Sequence, residues 1–165
     1  MPFLALLMAA APVGAHALPL CQAAQLRLSA ENRDGRFDGM SHSGTELSIR
    51  NRGRDCRLPR LPLVSMLDAR GRVLEARRDP PVGMHPGPVM VPIRLAAGHR
   101  ASIELRWVSG EVFERNRHIN AATVAVRIGA GLIRAPLGAE LFGPAGEPVG
   151  FDQSPARAAE GMPAG

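Results

Sequence analysis

The sequence predicts an all-β fold, an antiparallel β-sandwich of about seven to eight short strands. Three observations carry this. Apolar and polar residues alternate in several short runs, clearest where Ala101, Ile103, Leu105 and Trp107 interleave with Ser102, Glu104 and Arg106. Glycine and proline, 18 and 15 of the 165 residues, fall mostly between those runs and punctuate them. Beyond the N-terminal apolar run, no segment sustains a helical period.

The chain opens with Phe3 to Ala11, an apolar run too short to span a bilayer, leading into Ala15-His16-Ala17. That small-x-small pattern predicts a signal peptide over 1–17, a mature β-domain over 18–153 and a flexible tail over 154–165. Cys21 follows an apolar run as in a lipoprotein, but the leucine before it suits lipidation poorly, so cleavage after Ala17 is favoured. Ala24, Leu26 and Leu28 give a first strand, and the polar segment from Asn32 to Ser43 a loop. Leu47 to Asn51 is a second strand, ended by Asn51 and Gly53, which tolerate the backbone of a tight turn. Leu63 to Leu67 is a third; Asp68-Ala69-Arg70-Gly71 turns it, and Val73 to Ala76 is expected back as its hairpin partner. Four prolines and two glycines between Arg78 and Pro88 forbid a central strand there. Val89 to Leu95 reads as an edge strand, and Gly110 to Asn120 as holding a helical turn at most. The alternation resumes in Ala101 to Trp107, Val124 to Ile128 and Ile133 to Leu141, and from Gly143 a loop and frayed terminus are expected.

One domain fits this length. The formal net charge is +5, and every basic residue is arginine, scattered with one denser region from Arg50 to Arg78 that reads as solvated strand faces. One tryptophan and no tyrosine leave little to stack bases on, so a nucleic-acid partner is not expected. Nor is a transmembrane span. In an oxidising compartment the two cysteines most simply form one bridge, Cys21 to Cys56. Their spacing is too wide for a redox pair, and two thiols alone make no zinc site.

Cys21-Gln22-Ala23-Ala24-Gln25-Leu26, then Asn51 through Cys56-Arg57-Leu58, Pro62, Asp68-Ala69-Arg70-Gly71, and Leu95 through Gly98, Ala101 and Trp107 occur in that order. On these motifs the chain resembles a family of exported bacterial domains of unknown function, many on actinobacterial secreted proteins or lipoproteins. The resemblance covers most of Cys21 to Leu141 and implies an immunoglobulin-like sandwich. It departs at Arg60 and Ala97, where the family has glycine and proline, and in lacking a second cysteine pair. It implies no activity.

No Gly-x-Ser-x-Gly, His-Glu-x-x-His or phosphate-cradling glycine loop is present, so no enzymatic activity is expected. Ser41-His42-Ser43 puts hydroxyl beside imidazole, but neighbours on an extended chain point apart. Asp34, Asp38 and Glu31 are too few and too widely set for calcium. Thioether and imidazole together suit copper, and Met40, His42, Met84, His85, Met90 and His99 are the candidate ligands. Such a site requires all six to converge. Arg77, Arg78, Arg115 and Arg117, on the loops 77–89 and 109–120, are the candidate binding surface for an anionic polymer or lipid headgroup. The expected function is a non-enzymatic periplasmic or secreted envelope protein, a binding or structural module for an unknown envelope component or protein. A periplasmic copper-binding protein is the alternative.

Overall fold

The computed structural model describes residues 17–33, 35–80 and 89–159. The signal peptide expected at the N-terminus, Asp34, the proline-rich stretch with Met84 and His85, and the end of the tail lie outside them, apart from Ala17. In chain order the strands are β1 (Leu26–Glu31), β2 (His42–Asn51), β3 (Cys56–Leu58), β4 (Val64–Leu67), β5 (Ala76–Arg78), β6 (Ile93–Leu95), β7 (Arg100–Val108), β8 (Asn116–Ile128), β9 (Gly131–Pro144), β10 (Val149–Gln153) and β11 (Arg157–Ala158). A short 3-10 turn, Ala23–Gln25, leads into β1.

The larger sheet has the order β1-β2-β7-β10-β5, with β11 also paired to β7; β4-β8-β9 and β3-β6 form two smaller sheets. The period of two does what it predicts in β7, where Ala101, Ile103, Leu105 and Trp107 are buried while Arg100 and Arg106 face out. Leu47 and Ile49 of β2, Val124 and Val126 of β8, Leu141 of β9 and Phe151 of β10 join them in one hydrophobic core.

Four expectations are corrected. Val73 makes only an isolated bridge to Leu67, so no hairpin partner strand forms there. The chain instead crosses to the larger sheet, where Ala76–Arg78 lies parallel to β10, while the other described strands pair antiparallel. The region after Gly143 is not a loop running into the tail: β9 extends to Pro144 and turns back as β10, with Val149 and Phe151 filling the core. Glycine and proline around Ala145 mask that short strand. The tail itself pairs at Arg157 and Ala158 with Ser102 and Ala101. Finally, the segment from Gly110 to Asn120 gives way at Asn116 to β8, which pairs with β9 from Pro144 onward.

Candidate functional site

The expected bridge is present: Cys21 and Cys56 are joined, tying the N-terminal strap to the turn after β2. The strap docks on β3, since the Cys21 N–H donates to the Arg57 carbonyl and the Arg57 N–H to that of Pro19, at 2.9 and 2.8 Å. Asn51, fully buried, organises the same corner. Its amide nitrogen donates to the carbonyls of Arg54 (2.8 Å) and Leu95 (3.0 Å), and its oxygen accepts from Gln25 Nε2 and the Gly53 N–H (both 2.9 Å). This explains the asparagine-turn-cysteine run physically: the amide closes the turn that presents Cys56. Nearby, the Asp55 carboxylate accepts from the Ala97 N–H and from Arg94, and these two bonds hold its pKa below the usual range.

The described members of the methionine and histidine set do not all converge. Met40 is 96 % exposed, and the His42 ring Nδ1 donates to the Met40 carbonyl at 3.0 Å. His42 stands opposite Val108, whereas His99 adjoins Arg100, which stands opposite Arg50 at the far end of β2. Eight residues of strand separate those two registers, about 27 Å. Met90, half-buried, precedes β6. Among the described residues no three of histidine, cysteine, aspartate and glutamate gather as a metal-binding group. Ser43 is likewise engaged away from His42, donating to Asp38 at 2.6 Å.

The arginine candidates fall at one edge, beside the β9–β10 turn, in mixed charge. Arg117 pairs with Glu75 and donates to the Glu147 carbonyl, while Arg77 and Arg78 sit on β5 in register with Gly150 and Phe151. Asp79 follows directly, its pKa raised by burial and by the nearby Asp152. Arg115 is exposed on the loop before β8. Two open grooves, about 680 and 320 Å³, flank Gly138–Glu140 of β9, one beside the Asp68–Arg72 turn and one over Trp107. Asp68 in the first is committed to the amides of Arg70 and Arg72.

A further regular surface is one the sequence did not single out. On the outer face of β1, β2 and β7 the register sets like against like. Arg27, Arg50 and Arg100 form one row across the strands, Ser29, Ser48 and Ser102 the next on that side, and Glu31, Glu46 and Glu104 the one after; Ser48 and Glu46 on β2 are buried, and the arginine row alone is exposed on all three strands. Each strand displays a period of two in its own sequence, but only the register, fixed by the buried set on the opposite face, aligns the three copies. The glutamate row is neutralised from outside itself: Arg33 reaches Glu31 and Glu46, and Arg36 and Arg157 reach Glu104 at 2.9 and 3.6 Å.

Residues 21–147 match the family described as "Domain of unknown function (DUF4232)", and the chain belongs to that family. No curated protein and no solved structure matches it.

Proposed function

We propose that this DUF4232 domain is a non-enzymatic binding module of the cell envelope, exported and folded as an immunoglobulin-like sandwich, whose working surface is the outer face of β1, β2 and β7. The observation that carries the reading is the three-row lattice on that face. It is built on paired strands, β1 at the sheet edge with β2 and β7 inside it, rather than on loops, so its side chains are held in fixed register. The Cys21–Cys56 bond supports export, because such bonds persist in oxidising compartments. Among the described residues no helix is long and apolar enough to cross a membrane.

The test uses the oxidised chain from Leu18, immobilised and exposed to biotinylated wall and membrane fractions. One variant, Ser29→Trp, sets a bulky ring in the serine row, on the edge strand of the face. Another, Arg134→Trp, does the same on an exposed position of β9 in the other sheet. Retention of a fraction by the wild type and by Arg134→Trp, but not by Ser29→Trp, is the expected result. Retention of nothing, or equal behaviour of the two variants, overturns the reading.

A further inference from the structure

We infer that the row Arg27, Arg50 and Arg100 binds a linear, non-aromatic polyanion laid across the strands, an inference that rests on the binding face proposed above and names its ligand chemistry. The three side chains are exposed and occupy directly opposed positions in neighbouring strands. Cross-strand neighbours stand about 5 Å apart at Cα, so the row spans roughly 10 Å. Like charges directly opposite one another oppose strand pairing. The glutamate row does not relieve this. It lies four residues along each strand, about 13 Å away, beyond the screening length of roughly 8 Å at physiological salt, and it already holds arginines of its own.

Among the described residues, the side chains of Arg50 and Arg100 make no hydrogen bond or ion pair, and Arg27 reaches only the carbonyls of Leu26 and Ala24, at 2.9 and 3.4 Å. In the turn after β2, Asp55 is taken by Arg94 at 2.6 Å, and the same turn adds the exposed Arg52 and Arg54. A local rule broken with no internal compensation marks a surface whose compensation comes from a partner.

The character of the partner follows from what else the face carries. Guanidinium forks match phosphate, sulfate or carboxylate groups in two-point contacts. A row of three at a spacing of about 5 Å favours repeated charges on one extended chain over a single small anion. No phenylalanine, tyrosine or tryptophan stands on β1 or β2, His42 lies at the far end of β2 from the arginine row, and Trp107 of β7 points inward, so bases have nothing to stack on beside that row. None of the exposed large apolar residues lies on these three strands, so the face has nothing to insert into a bilayer.

Fluorescence anisotropy of labelled linear polyphosphate and labelled polygalacturonate, with dextran as neutral control, tests the inference on the oxidised chain from Leu18. The expected result is binding of at least one polyanion, weakened about tenfold or more in Arg50→Gln/Arg100→Gln. Arg127→Gln/Arg134→Gln removes the same charge from exposed positions of the other sheet and is expected to change the affinity by less than about twofold. Thermal melts check folding; should the first double variant melt early, Arg27→Gln/Arg100→Gln gives the same readout. Equal weakening in both kinds of variant would reduce the effect to net charge and overturn the inference. So would binding of phosphatidylglycerol vesicles or single-stranded DNA in place of the polymers. Failure of both polymers while an envelope fraction is still retained, sensitive to Ser29→Trp, would sink this inference alone; failure of both tests would sink the binding face with it.

Discussion

Asn51 shows how much one amide does in this corner of the molecule. A residue that ends a strand ordinarily faces water, yet this one is 0 % exposed and uses both ends of its side chain. It takes two carbonyls and two N–H groups from three segments: the turn into β1, its own turn at Gly53 and Arg54, and the end of β6 at Leu95. Asn51→Ala leaves those partners without a mate in a place water enters poorly, and is expected to lower the unfolding free energy by about 2–4 kcal/mol. Asn51→Asp should be no milder, because a carboxylate would face the carbonyl oxygens of Arg54 and Leu95. Urea denaturation of the three proteins at neutral pH decides it; a loss below about 1 kcal/mol for alanine would mean the corner does not depend on this amide. The sequence marked Asn51 as a turn former and placed it in the resemblance. Its burial was not legible, since two of its partners, Gln25 and Leu95, lie far off in the chain.

The same divide between local pattern and long-range register runs through the elements. Strands whose alternation extends over several residues, such as Ala101 to Trp107 and Val124 to Ile128, were legible because the period of two records one buried face. Cys56–Leu58 and Val149–Gln153 were not, for three to five residues beside glycine and proline carry no usable period. The candidate face was hidden for a related reason: each arginine looked like an ordinary solvated position until pairing aligned them. Gly44 gives an element-level test of how tightly β2 and β7 are joined. A Cβ there would stand 2.4 Å from the Leu105 carbonyl oxygen and 2.9 Å from Phe37 Cβ, so backbone on one side and a buried ring on the other must give. Gly44→Ala is therefore expected to cost about 1–3 kcal/mol and to dislodge Phe37, only 2 % exposed in the wild type, from the β2–β7 ladder. Hydrogen exchange should speed up at the amides around Phe37 and at the His42–Glu46 half of β2 while the Leu47–Asn51 half keeps its protection. Uniform acceleration would show instead that the ladder opens as one unit.

At the scale of the whole molecule the single cross-link decides how the fold depends on its surroundings. The bond closes a loop of 35 residues between Cys21 and Cys56, and in the chain-entropy account a loop of that length adds about 3–4 kcal/mol to stability. That is a large share of the roughly 5–15 kcal/mol typical of a domain, so a reducing environment should leave it marginal. The loss should not be spread evenly. Between Leu18 and Cys21 the strap is held to β3 by the bond and by contacts to Arg57, whose Nε donates to the Leu18 carbonyl at 2.6 Å. Strands β7, β8 and β9 lie outside the closed loop and rest on the core. Reduction, or Cys21→Ser/Cys56→Ser, is therefore expected to lower the urea midpoint while the far-ultraviolet spectrum of the folded state stays that of a β protein. Exchange should rise first at Cys21 and Arg57, whose amides bond across strap and strand. An unchanged midpoint would mean that the strap is anchored by packing alone, and the support that the bond lends to an oxidising compartment would go with it.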